Sequence, residues 1–330
     1  MSDAVQALKS QAPETARIAL RDEAAIVETA WLYYHEGLNQ NAIAERLQIS
    51  RATVVNYLSH ARSEGWVRLY LNDSVFSSHR LAQELCAAYG LSKALVVPND
   101  PGDLADTKSR VTRAAADWLP KLLQPGDRLG VSWGETVYQM VQQVAHQPMK
   151  DLTVVQLLGS RPAATGFAAE ACTSSLAMRL GGQLVNLHVP LLLSDKSVRD
   201  ALAAEPEVAA QISALSGCNK TVLACGTLDE DAHAVRTGIF HCSDLAELRA
   251  RGAVGVVCGR LIDINGNPVV AQVEDRMIGV SLAQMVDKEM SLLVAVGPDR
   301  AISARAALRG GYATHLATNE EIASELLDMA

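Results

Sequence analysis

Residues 38–71 read LNQNAIAERLQISRATVVNYLSHARSEGWVRLYL, and this stretch sets the plan of the chain. Asn39 is a good N-cap for a first short helix whose apolar residues Ile43, Ala44 and Leu47 share one face. Gln48 and Ile49 make a tight turn, and Ser50 caps a second helix. In that helix Val54, Val55, Leu58 and Ala61 are expected to point inward. Arg51, Thr53, Asn56, Tyr57 and His60 are left outward or lateral. Gly65 supplies the left-handed stop. Two helices of this size, joined this tightly, predict a helix-turn-helix whose second helix lies in a DNA major groove. Arg pairs with guanine, Asn with adenine, and Thr or Ser with phosphate or a thymine methyl. Candidate DNA-contacting residues are therefore Gln40, Ser50, Arg51, Thr53, Asn56, Tyr57, His60 and Arg62. Between residues 46 and 68 four arginines face one acid, Glu64, whereas the chain of 330 residues carries a net charge of −8. A small cationic reader on an acidic body excludes indiscriminate coating of nucleic acid.

Working outward, residues 1–20 are polar and alanine-rich and predict a loosely ordered arm. A helix over 21–36 places Ile26, Val27, Ala30, Trp31 and Tyr34 at helical spacing. Residues 66–71 read as a short strand or wing. Ser77 and Ser78 cap a helix that ends at Tyr89 and Gly90. The domain plan is then an arm over 1–20 and a DNA-binding domain over 21–72. A linker or oligomerisation helix over 73–92 leads to an effector domain over 93–330.

From Lys93 onward the rhythm changes. Apolar runs at 94–97, 128–132, 152–158, 183–189, 221–224, 254–258 and 292–296 predict strands buried on both faces of a parallel sheet. Helical stretches at 107–123, 135–144, 168–180, 245–251 and 299–309 supply the crossovers. The predicted class is a doubly wound α/β domain preceded by a small winged-helix-like module. Ligands of such sheets sit at strand carboxyl ends near helix N-termini. Three junctions fit that rule: Gly130 to Thr136, Leu158 to Pro162, and Gly297 to Arg300. They offer Ser132, Trp133, Gly134, Glu135, Thr136, Gly159, Ser160, Arg161 and Arg300 as candidate contacts. Glycine, hydroxyl and guanidinium together suit an anionic small molecule.

The remaining composition narrows the class. Hydrophobic residues make up 49% and charged residues 20%, as in a soluble globular protein. No apolar run reaches the roughly 18 residues of a membrane span, and no secretory signal pattern opens the chain. The six cysteines have no C-x-x-C spacing and read as reduced core residues of a cytoplasmic protein. No Ser-His-Asp order, metal-ligand cluster or phosphate-binding G-x-x-x-x-G-K-[ST] loop is present, so neither cofactor nor metal is expected. His188, His233, His241 and His315 lie singly and read as surface or satisfied core residues. The competing class is an isomerase-like enzyme, with Glu135 and Asp263 as an acid–base pair on a sugar phosphate.

Over roughly 22–328 the chain resembles the SorC family of bacterial sugar-binding transcriptional regulators, sometimes grouped with deoxyribonucleoside and central-glycolytic-gene regulators. The resemblance rests on Trp31-Leu32-Tyr33-Tyr34 with Ile43-Ala44, Ser50 to Val54, Ala61-Arg62 and Gly65. It continues through Gly130 to Thr136, Val154 to Gly159, and Gly252-Ala253-Val254-Gly255 with Asp263 and Gly266. Ala306 to Gly311 close it. It implies an effector domain related to sugar-phosphate isomerases and CoA transferases, binding a phosphorylated sugar or polyol. It further implies a homo-oligomer, dimer or tetramer, acting on double-stranded operator DNA, and it adds Asp263 to the candidate effector contacts. A regulator sensing an unphosphorylated sugar or polyol is the alternative within that class. Departures from the family pattern are Arg300 in place of Lys, Val256 in place of an acidic residue, and Asn56-Tyr57 in place of Arg-Leu. Effector and operator are therefore particular to this chain.

Overall fold

A computed structural model of the chain describes residues 14–67, 76, 79–100, 102–161, 168–297 and 299–330. The chain divides into two compact units, 1–71 and 72–330.

Among its described residues the first unit holds three helices: α1 (Glu14–Tyr34), α2 (Gln40–Leu47) and α3 (Arg51–Ser63). Asn39 Oδ1 accepts from the N–H groups of Asn41 and Ala42, both at 3.0 Å, and Ser50 Oγ accepts from Thr53 N–H at 3.0 Å. Each such cap contributes about 1 kcal/mol. Between the helices Gln48 takes a left-handed conformation (φ 54°, ψ 41°), which makes the turn tight. Ile26, Ala30, Leu32, Ile43, Val54, Leu58 and Ala61 form the core, and Tyr57 and Leu47 pack against it. Two expectations change. Helix α1 begins at Glu14, inside the segment read as a loose arm, because ETARIALRDEAA is built of strong helix formers. Residues 1–13 lie outside the described residues. Val55, expected inside, is 41% exposed. Val54, Leu58 and Ala61 already fill the inward stripe, and Val55 is turned about 100° from Val54. Of the expected strand or wing, Trp66 and Val67 fold back so that both N–H groups donate to the Ala61 carbonyl. The rest of it, 68–71, lies outside the described residues, as do Ser77 and Ser78.

The second unit opens with α4 (Arg80–Tyr89), capped by His79 Nδ1. There follow β1 (Lys93–Val97), α5 (Leu104–Leu122), β2 (Arg128–Val131), α6 (Glu135–Gln143), β3 (Thr153–Gln156), α7 (Ala169–Leu180) and β4 (Gln183–Val185). Next come α8 (Lys196–Ala204), α9 (Pro206–Ser216), β5 (Lys220–Leu223), β6 (Cys225–Gly226), α10 (His233–Arg236) and α11 (Leu245–Ala250). The chain ends with β7 (Ala253–Val257), β8 (Arg260–Asp263), β9 (Met290–Val294), α12 (Arg300–Arg309), β10 (His315–Asn319) and α13 (Glu320–Asp328).

Seven strands form one sheet in the order β1-β10-β9-β5-β2-β3-β4, and every pairing is parallel. Strands β3, β5 and β9 are buried along their whole length, so both faces of the sheet are covered, as parallel sheets require. The mainly parallel α/β class holds. Helix α4, offered as a linker or oligomerisation element, packs into this unit: Leu85 is fully buried and Tyr89 Oη donates to Leu326 O at 2.6 Å.

Two strand readings are corrected. The run at 254–258 belongs to a separate three-stranded antiparallel sheet, β6-β7-β8. An apolar run signals burial but not its pairing partner. The run at 183–189 is strand only at 183–185, an edge with Gln183 and Leu184 exposed. Gly130 and Gly266 are among the glycines that mark close approaches. A Cβ on Gly130 would lie 2.6 Å from Leu157 Cδ2, between β2 and β3. One on Gly266 would lie 2.3 Å from the Gly310 backbone, clamping the turn after β8 to the end of α12.

Candidate functional site

The carboxyl ends of three adjacent central strands, β9, β5 and β2, open into a cavity of about 410 Å³, a size suited to a small metabolite. Its walls are the β2–α6 loop, the β5–β6 segment, α10, the β7–β8 turn, and the starts of α12 and α5. The β2–α6 loop carries most of the chemistry. Ser132 is buried, its N–H donating to Val222 O at 2.9 Å, and Trp133 is almost fully buried. Gly134 (φ 120°, ψ 170°) precedes α6 in a conformation closed to side-chain-bearing residues, and no side chain caps the helix. The first N–H groups of α6 therefore stand at the cavity without a side-chain acceptor, and they carry the positive end of the helix dipole.

Cations surround that helix start. Lys108, in the first turns of α5, places Nζ 2.6 Å from Glu135 Oε1, and Gln139 Nε2 donates to the same oxygen at 3.2 Å. The Lys108 hydrogen bond, opposed by burial, holds the Glu135 carboxyl below its ordinary pKa. Arg236 comes from α10. Arg300, the first residue of α12, donates to Cys225 O at 3.2 Å and lines the same cavity. The ring of His233 meets Trp133 edge-on, centroids 4.6 Å apart. Burial first, then Arg236, holds His233 below its ordinary pKa.

Of the residues singled out from sequence, the structure brings together Ser132, Trp133, Gly134, Glu135, Thr136 and Arg300. It places the others elsewhere. Gly159 is needed for packing, since a Cβ there would lie 2.7 Å from the Leu191 backbone. Ser160 Oγ lies at hydrogen-bonding limits from Gln156 and Leu187. Arg161 donates through Nε to Thr237 O at 2.8 Å, bracing the end of α10, the helix that carries His233 and Arg236. Asp263 is spent on its own turn, accepting from Asn265 N–H (2.9 Å), Asn267 N–H (2.8 Å) and Asn267 Nδ2 (3.1 Å). Val256, where the family pattern has an acid, lines the cavity. Lys108 and Arg236 escaped sequence reasoning, since neither stands beside a glycine at a strand end. His233, read as a surface or satisfied core residue, instead lines the cavity with Nε2 buried and unpartnered among the described residues. The one usable signal was the pairing of Arg236 with His233 at i,i+3.

In the first unit, α3 leaves Arg51, Ala52, Val55, Asn56, Ser59 and His60 exposed, while Thr53 and Tyr57 are half-buried. Arg51 Nε donates to Gln40 Oε1 at 3.3 Å, and Ser50 Oγ lies 2.8 Å from Thr53 Oγ1. Tyr33, Gly37, Leu38, Asn39, Gln40, Asn41 and Arg51 enclose a shallow depression beside the starts of α2 and α3. Arg62 Nε donates to Leu58 O at 3.3 Å, and the His60 ring meets Trp66 edge-on. Tyr57 thus serves the core, and the open stripe runs through Arg51, Val55, Asn56 and Ser59.

An α/β unit with a cavity at its strand ends, in one chain with a unit of short, tightly joined helices, fits the class of transcriptional regulators. Residues 73–328 match the sugar-binding domain family. The transcriptional regulator YjhU of Escherichia coli (strain K12) is 35% identical over 314 residues, spanning 94% of this chain and 96% of that protein. The deoxyribonucleoside regulator of Bacillus subtilis (strain 168) is 32% identical over 304 residues, spanning 92% and 96%. Crystalline full-length sorbitol operon regulator SorC from Klebsiella pneumoniae aligns at a TM-score of 0.74 and 26% identity, over 92% of this chain and 97% of that one. The chain belongs to the SorC family of transcriptional regulators.

Proposed function

We propose that this chain is a DNA-binding regulator of a carbohydrate or polyol catabolic operon, and that a phosphorylated sugar or polyol in the β9–β5–β2 cavity alters its operator affinity. The observation that carries the effector half is the convergence of Lys108, Arg236 and Arg300 on the glycine-opened start of α6. Guanidinium forks and uncapped N–H groups recognise phosphate, while Asp229 and Asp231 in the same walls accept hydrogen bonds from hydroxyls. The DNA half rests on the open Arg51–Asn56 stripe of α3. A homo-oligomer places two such helices in successive major grooves, so the operator is two-fold symmetric. The effector acts by binding one oligomer arrangement better than the other. In this reading the protein works in the cytoplasm and performs no catalysis; Asp263, which would pair with Glu135 in an isomerase, lies outside the cavity and is engaged by its own turn.

Fluorescence anisotropy with DNA upstream of its own gene and of neighbouring sugar-catabolic genes tests both halves. We expect sequence-specific binding that hexose, pentose or polyol phosphates change and their free counterparts do not. A free sugar acting more strongly than its phosphate overturns the phosphorylated effector. Turnover of a sugar phosphate seen by NMR overturns the absence of catalysis. Equal affinity for promoter and random DNA overturns the regulator.

A further inference from the structure

His233 opens the four-residue helix α10, and its ring forms part of the cavity wall, edge-on to Trp133 with an interplanar angle of 72°. Its Nε2 is buried and has no hydrogen-bond partner among the described residues. A buried ring nitrogen left unpaired is unfavourable. A fold that keeps one beside a cavity has kept a place for a partner. Gln156, Asn186 and Asn319 also hold unpaired buried oxygens, but none of the three lines the cavity.

The setting identifies the partner. Arg236 follows on the same short helix, Arg300 approaches from α12, and Glu135, tied to Lys108, approaches from α6. Asp229 and Asp231 line the cavity from the loop before α10. Two guanidinium groups beside the ring favour an acceptor bearing negative charge over a donor. Trp133 fixes the ring from the side, so the imidazole is pre-positioned.

We infer that His233 is a binding residue for the anionic group of the effector, its Nε2–H donating to a ligand oxygen and its ring gaining a proton as the complex forms. This deepens the effector reading above and rests on it. In the empty site, burial together with Arg236 and Arg300 holds the ring below its ordinary pKa, against the pull of Glu135, so it is neutral near pH 7. An anion at hydrogen-bond distance reverses the balance and favours imidazolium. Binding therefore takes up a proton. Affinity for an anion that does not itself titrate rises as pH falls through the pKa of the complex, and it levels off below the pKa of the empty site.

Sulfate stays a dianion across the window and is the probe. Calorimetric titration of the full chain from about pH 8.5 to about pH 5.5 is expected to show roughly tenfold tighter binding at the acid end. In His233→Leu, sulfate should bind about tenfold more weakly near pH 6, and the pH dependence should vanish. His233→Gln keeps a donor but cannot titrate. It should retain most of the affinity near pH 8 and give a flat profile. If both variants keep the wild-type slope, or His233→Leu binds as tightly as wild type, the inference fails while the effector reading survives. If wild type and Arg300→Met bind sulfate equally, or neither binds it, the effector reading fails and takes this inference with it.

Discussion

Lys108 Nζ and Glu135 Oε1 meet at 2.6 Å, and through them the first turns of α5 are joined to the first residue of α6. The pair lies in the cavity wall, 22% and 34% exposed, so it both neutralises a carboxylate at an α-helix start and holds a cation in reserve for a ligand. Removing the carboxylate frees that cation and removes a repulsive charge. Glu135→Gln is therefore expected to tighten sugar-phosphate binding by about threefold to tenfold, and Lys108→Met to weaken it by a similar factor. Calorimetry with a sugar phosphate that binds the wild type checks both. Weaker binding in Glu135→Gln would mean that the carboxylate itself holds the ligand.

Asp263 leads to the opposite expectation. Its carboxylate accepts three hydrogen bonds within the turn that Gly266 presses against Gly310, so its work is local. Asp263→Ala should cost about 1–3 kcal/mol of stability in urea unfolding and leave effector affinity within about twofold. Gly266→Ala, forced into φ +83° with backbone 2.3 Å from the new carbon, should cost more. Loss of effector affinity in a stably folded Asp263→Ala would return that residue to the site.

The contrast between Asp263 and His233 locates what the sequence could tell. Caps such as Asn39 and Ser50, and the glycine that opens α6, act through neighbours a few residues away, so local spacing reveals them. Long apolar runs are equally legible, although the run at 254–258 declares burial without saying that it pairs in a second, antiparallel sheet. The cavity is assembled differently. Lys108 and the His233–Arg236 pair come from two distant points of the chain and meet only through the β9-β5-β2 strand order. Helix α10 is four residues long and offers no periodicity to read. Conversely Gly159 and Arg161 have the right residue types at a strand end, yet close packing against Leu191 and the carbonyl of Thr237 consume them.

His315 gives the protein an acid limit. Burial, followed by the charges of Lys93 and Lys220, pushes its pKa down to about 4. The unfolded chain takes up a proton near pH 6.5, whereas the folded chain resists until about pH 4. Above the unfolded value both states are neutral and the residue has no effect. As pH falls from 6.5 towards 4 the unfolded state is favoured, and below that the loss levels off. His315→Gln should flatten this part of the curve in urea unfolding measured at successive pH values. An unchanged slope between those limits would assign the acid sensitivity to other groups.

The open stripe of α3 supplies the last test. Arg51 and Asn56 are exposed, and exposed Val55 lies between them around the helix. If that stripe enters the major groove, Arg51→Ala and Asn56→Ala should each weaken operator binding by about 1–3 kcal/mol and relax discrimination at one base pair. Tyr57→Phe, altering a half-buried residue that packs on the core, should leave discrimination intact. Arg62, which faces solvent near the end of α3, should behave as a phosphate contact: Arg62→Ala weakens all sequences alike and lowers the slope of log K against log salt by about one. The decisive measurement is a salt titration of wild type and the four variants on an operator and on a scrambled duplex. Unchanged discrimination in Arg51→Ala and Asn56→Ala, with Tyr57→Phe impaired, would place the reading surface on another face of the helix.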